Sequence, residues 1–247
     1  MMNNITVILN VYKRPYMLEE QIKAIKNQSI PINSENIHIW YNDSDVQQFL
    51  PNDEKIKTYE CSWNTKFWGR FMIPLLVDTE YIAIFDDDTI PQKDWFKNCL
   101  ETINNPNTNG ILGGIGVILD GKGYRKNHKI GWNAAHSNNT EQVDLVGHAW
   151  FFRQEWSKYI WYEKPFSWNN GEDIMFSYLA QKYGGINTYV PKHPENQTNL
   201  WCNDLEIGQR IGSDENASWL KSNHYQDREN ICIYCINNGW KTVNNIK

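Results

Sequence analysis

Tyr81-Ile82-Ala83-Ile84-Phe85-Asp86-Asp87-Asp88-Thr89 (YIAIFDDDT) is the stretch on which the fold turns. Five apolar residues, rich in β-branched and aromatic side chains, predict a short strand buried on both faces. That strand runs straight into three carboxylates. Adjacent carboxylates repel one another, at a cost that only a cation or hydrogen-bond donors offset. Side chains alternate along extended backbone, so Asp86 and Asp88 share one side and Asp87 takes the other. Two carboxylates on one side suit a hard divalent ion such as Mg2+ or Mn2+, with positions left over for phosphate oxygens. A solvated acidic turn capping the next helix is the plainer alternative, and the buried strand just before the acids favours the ion.

The same alternation continues outward in both directions. Ile5–Val11 is an apolar run that ends at Tyr12-Lys13-Arg14-Pro15, and Pro15 suits the first turn of a helix. Met17, Leu18, Ile22 and Ile25 then recur at helical spacing. Ile37–Tyr41 reads as a second strand, closed by the turn formers Asn42-Asp43-Ser44-Asp45, and Ile56–Tyr59 as a weaker third. Phe67–Val77 reads as helical around a kink at Pro74, and Asp94–Ile103 as a helix after the aspartates. Strand alternating with helix predicts an α/β fold, a mostly parallel sheet flanked by helices. Ligands bind such sheets at the C-terminal strand ends. Tyr12–Arg14, Asn42–Asp45 and Asp86–Asp88 all follow strand ends, and that coincidence points to one site.

The second half is less regular. Gly110–Leu119 and Val143–Phe152 read as strands, separated by a polar loop over Asp120–Glu141. Gly171-Glu172-Asp173 opens a helical stretch (Ile174, Phe176, Leu179, Tyr183) that stops at Gly184-Gly185. Two acids at a helix start meet the positive end of its dipole. They could instead supply a general base or a group that orients an acceptor. Residues 192–224 read as irregular and Asp227–Asn238 as a last helix. Arg14, Arg70 and Arg228 offer planar forks that match phosphates and uracil-type carbonyls. His224 stands four residues before Arg228 and could reach the same place.

Bulk composition narrows the functional classes. The 247 residues allow one large α/β domain, and 40% hydrophobic against 21% charged residues excludes disorder. A net charge of −5 without a long basic run excludes general affinity for nucleic acid. No run reaches the roughly 18–20 apolar residues that span a bilayer. Ile5–Leu9 is too short and poorly flanked for a signal peptide. The five cysteines lack framework spacing, and Cys232/Cys235 is a lone C-x-x-C, so a reduced, cytoplasmic protein is expected. The 12 Trp and 13 Tyr suit stacking on sugars or bases.

Taken in order, NVYKRP, IWYND, NTKFWGRF, AIFDDDTI, VDLVGHAWFFR and GEDI resemble a glycosyltransferase of the GT-A fold, most like the exostosin-like sugar transferases. A weaker match is His224-x-x-x-Arg228 before a helix containing Cys232. The resemblance implies one GT-A domain, with residues 1–105 binding a nucleotide sugar and a mixed, smaller acceptor-side sheet within residues 106–247. It implies metal-dependent transfer of a hexosyl, pentosyl or N-acetylhexosaminyl group from a nucleoside-diphosphate sugar, UDP being favoured, to a glycan hydroxyl. Asp88 would bind Mn2+ or Mg2+ directly, with Asp86 near the ribose or the ion's water shell and Asp87 on the donor side. Arg14 and Asn42 would hold the base or ribose, and Arg70 the base or diphosphate. Gly147 and His148 would lie on the acceptor side. Asp173, beside Glu172, would sit under the anomeric carbon, while Arg228 would stabilise the departing diphosphate. His224 is added as a possible third metal or phosphate contact. Inverting and retaining chemistry both remain open. Unlike animal exostosin-like enzymes the sequence shows no anchor, which suggests a bacterial or viral enzyme building a surface glycan. A nucleotidyltransferase would want a glycine-rich loop after the first strand, which NVYKRP lacks. A non-catalytic carbohydrate-binding protein would need neither the aspartates nor the arginines.

Overall fold

A computed structural model describes residues 4–43, 50–215 and 217–246. Ser44 and Asp45 of the expected second loop therefore lie outside the described residues. The strands are β1 (Ile5–Val11), β2 (Ile37–Tyr41), β3 (Lys57–Glu60), β4 (Tyr81–Phe85), β5 (Ile111–Leu119), β6 (Asn127–Gly131), β7 (Glu141–Val143), β8 (Leu145–Arg153) and β9 (Thr188–Val190). They form one sheet in the order β3-β2-β1-β4-β8-β5-β9-β7, with β6 paired to β5. The helices are α1 (Leu18–Lys26), α2 (Trp95–Ile103), α3 (Glu172–Gly184), α4 (Leu205–Ile211), α5 (His224–Asn237) and α6 (Val243–Ile246).

β1 to β4 pair in parallel, with β1 between β2 and β4. The chain thus moves to one side of β1 for β2 and to the other side for β4. A crevice opens at such a switch point, outside the C-terminal strand ends. All five residues of β4 are buried, as an apolar strand of its kind requires. Beyond it the sheet turns mixed: β8 runs antiparallel to β4, with Phe85 opposite Ala149, and β5 antiparallel to β8. The expected mixed part is therefore a continuation of the parallel sheet and not a sheet of its own.

Helix α3 is buried along Glu172–Ala180. Packed on every side, it has no solvent stripe, which is why its sequence shows little periodicity. Three local expectations change. Residues 69–76 form a 3-10 helix, because Pro74 removes an amide donor and crowds the preceding turn. The polar loop after β5 folds back as the antiparallel strand β6. The stretch 192–224 holds α4, capped by Asp204 through the Ile207 amide at 2.8 Å. All five cysteines are free.

Candidate active site

A cleft of about 710 Å3 opens at the ends of β1, β2 and β4, and the segment 208–227 lines its far wall. The aspartates after β4 lie on its floor. Asp87 turns to Arg14, whose Nη1 reaches its Oδ1 at 2.6 Å and the Asp88 Oδ2 at 3.7 Å. The rest of that guanidinium forks onto Asp214, Nε to Oδ2 at 3.0 Å and Nη2 to Oδ1 at 2.7 Å. Asp86 pairs with Arg70, which also reaches Glu172 Oε1 at 3.3 Å. The Arg70 guanidinium lies over the Trp150 ring at 4.7 Å. Burial raises the pKa of Asp87, Asp88 and Glu172. Arg14 opposes the rise at Asp87, while Asp86 adds to the rise at Asp88 and Asp173 to that at Glu172.

The second acidic element sits at the start of α3. Gly171 takes a left-handed backbone there (φ 87°), and a Cβ at that position would meet Ile231 Cδ1 at 2.3 Å. Only glycine lets α5 press so close to the start of α3. Both Asp173 oxygens accept from Arg228, Oδ1 at 3.1 Å and Oδ2 at 2.6 Å. Arg228 also donates to Asn170 and lies 4.5 Å over the Tyr124 ring. Gly147 lies beside this pair, and a Cβ on it would touch Asp173 Oδ2 at 3.6 Å.

The metal-ligating atoms gathered by the fold are Asp86, Asp88 and His148, all within 4.8 Å of one another. His148 Nδ1 stands 4.0 Å from Asp86 Oδ2 and 3.8 Å from Asp88 Oδ1. The antiparallel entry of β8 places it there, opposite the end of β4, so His148 flanks the aspartates. Burial, the largest cause, pushes its pKa down to about 4, so the ring is neutral. His224 is not part of that group. It lines the cleft from α5 and meets Asn170 Nδ2 at 3.2 Å, which corrects its expected metal contact.

Asn42 lines the cleft and holds its wall together. Its Nδ2 donates to Asn64 Oδ1 at 3.1 Å and to the Lys66 carbonyl at 2.7 Å. Its Oδ1 accepts from the Thr65 amide at 2.9 Å, from the Thr65 hydroxyl and from Trp40. With its capacity spent, Asn42 orders residues 64–66 at the cleft wall. Arg14, Arg70 and Arg228 are all brought to the site, each already held by carboxylates. Sequence reasoning missed Asp214, Trp132, Tyr124 and Asn203, which reach the cleft floor or its support from irregular segments and carry no local motif.

Residues 6–161 match the family model described as glycosyl transferase family 2. The chain belongs to glycosyl transferase family 2. The matched span includes β1 to β8 and all three aspartates, whereas Glu172, Asp173 and Arg228 of this family 2 enzyme lie beyond it. The matching family is not the exostosin-like group, and no comparison supports that narrower likeness. No curated protein matches the chain. Among solved structures, Staphylococcus aureus TarS 1-349 superposes with a TM-score of 0.51 at 15% identity, over 76% of this chain and 60% of that one. S. aureus TarS gives 0.53 at 14% identity, over 76% of this chain and 36% of that one. At such identities the likeness is one of fold, and this family 2 chain spans 60% and 36% of those chains. Its fold is the GT-A type that the resemblance of its motifs implies. Among the described residues no helix is long and apolar enough to cross a membrane.

Proposed function

We propose that this glycosyltransferase moves a sugar from a nucleoside-diphosphate sugar, preferably a UDP-sugar, to a hydroxyl of a glycan acceptor in surface-glycan synthesis. The observation that carries the reading is the cleft whose lining includes Asp86–Asp88, with Arg70 bridging Asp86 to Glu172, the neighbour of the Arg-held Asp173. Residues 1–105 bind the donor and residues 106–247 chiefly the acceptor. Asp86 and Asp88 fit Mn2+ or Mg2+, because two carboxylates with closely spaced oxygens form a hard donor set beside open cleft. Such an ion, when bound, offsets charge that develops on the leaving diphosphate.

The chain's own groups do the rest. Arg14 and Arg70 pair with Asp87 and Asp86 and hold them in place, so the floor is preorganised before donor arrives. Asp173, held by both Nη atoms of Arg228, presents a fixed carboxylate where the acceptor hydroxyl enters above Gly147. Arg228 in turn faces the diphosphate from the helix start. Cleft walls that hold donor and acceptor together supply orientation.

Calorimetry with UDP, GDP and dTDP, each with and without Mn2+, tests the reading. One nucleotide should bind in a metal-dependent way, and Asp88→Asn should lose that component with no fall in melting temperature. Absence of metal-dependent binding to any of the three overturns it.

A further inference from the structure

Asn203 lies in the turn before α4 and is fully buried. Its surroundings fix which way its amide faces. The Ile90 amide N–H donates to Asn203 Oδ1 at 2.6 Å. A backbone N–H can only donate, so the oxygen must take that side. Asn203 Nδ2 is then directed at two acceptors, the Asp88 carbonyl oxygen at 3.0 Å and His148 Nε2 at 2.8 Å. An amide NH2 has no acceptor capacity, so Nε2 must be the bare nitrogen of the ring. A neutral imidazole carries one proton, which is therefore on Nδ1. Nδ1 is the atom that looks toward Asp86 and Asp88. A protonated ring nitrogen has no lone pair to give a metal.

The ring has little freedom to escape this arrangement. Trp132 covers its face with centroids 4.3 Å apart and planes 5° from parallel. The His148 backbone is left-handed (φ 69°), an unusual conformation for a residue with a Cβ. The buried Thr89 hydroxyl donates to the His148 carbonyl at 3.1 Å, and its oxygen lies 3.4 Å from Nε2.

We propose that Asn203 is a positioning residue that locks His148 as a hydrogen-bond donor toward Asp86 and Asp88. The ion those aspartates hold is then bound by oxygen atoms alone, and His148 serves it only through a coordinated water or phosphate oxygen. The part about the ion rests on the proposed function above; the protonation of Nδ1 does not. An all-oxygen site favours Mg2+ and Mn2+, whereas an imidazole ligand would draw in Zn2+.

The test starts with metal-free protein labelled with 15N-histidine. A long-range proton–nitrogen correlation spectrum reports which ring nitrogen is protonated, and the His148 signal is assigned by its loss in His148→Gln. The Nδ1–H pattern is expected, and an Nε2–H pattern overturns the lock. In Asn203→Asp one carboxylate oxygen still accepts from Ile90 while the other faces Nε2 as an acceptor. The proton should then move to Nε2, freeing Nδ1 to ligate. Pulsed EPR with Mn2+ should show no directly bound nitrogen in the wild type and one in Asn203→Asp, with Zn2+ competing roughly 10-fold better in the variant. Directly bound nitrogen in the wild type also overturns the lock. Should the Nδ1–H pattern appear while Mn2+ fails to bind, the lock stands and the proposed metal site falls. If Asn203→Asp does not fold, the wild-type spectra decide alone.

Discussion

Asp173 and Arg228 meet with only about a tenth of either side chain exposed. Removing one partner of such a pair leaves a buried charge without compensation, which costs about 3–5 kcal/mol. Arg228→Met should therefore lower the melting temperature by about 10 °C. Adding Asp173→Leu should restore most of that stability and none of the transferase activity, as thermal denaturation and nucleotide-release assays on both variants would show. An equal melting temperature for Arg228→Met and the wild type would mean that the pair adds nothing to stability. The sequence exposed Asp173 and Arg228 only as types. Their pairing joins residues 55 apart along the chain, which no local spacing encodes. The same holds for Asn203, whose partners Ile90 and His148 are 113 and 55 residues away.

Among the elements, β1, β2 and β4 were readable because each is a short apolar run stopped by turn formers, and burial on both faces demands such a run. β6 was not, since Asn127, His128 and Lys129 are exposed along an edge and show no apolar alternation. β5 illustrates a subtler signal. Its Gly116 faces Val190 and Val143, where a Cβ would approach to 2.5 and 2.6 Å. Gly116 is what lets Val143 of β7 and Val190 of β9 pack against β5. Gly116→Ala should cost about 1–3 kcal/mol by overpacking, read from the denaturant midpoint at unchanged m-value. A neutral result would show that β9 can shift outward freely.

For the molecule as a whole, acidity should be felt through buried histidines. Burial pushes His38 and His193 down to about 4, with Lys57 and His136 adding to the effect respectively. In the unfolded chain both would titrate near 6.5. The unfolded state thus takes up protons first, so the stability these rings contribute is complete above about pH 6.5 and is lost as pH falls through 4. Buried carboxylates with raised pKa work in the opposite direction over part of that range. His38→Gln should flatten the fall in melting temperature between pH 6.5 and 4.5, a difference of roughly 1–2 kcal/mol. Parallel curves for variant and wild type would exclude His38 as a contributor.

The unbroken sheet has one more consequence. β4 and β8 are hydrogen-bonded across the boundary between residues 105 and 106, from Tyr81 opposite Arg153 to Phe85 opposite Ala149. Severing the chain there would strip each piece of its central neighbour and bare a long apolar edge on both, the kind of edge that recruits other copies. Produced alone, each fragment is a template for aggregation. Produced together, each is the other's missing strand, and the cut ends at Asn105 and Pro106 lie in an exposed turn well away from the cleft. The protein is therefore suited to work as a complementing pair, with sugar transfer returning only when both fragments are present.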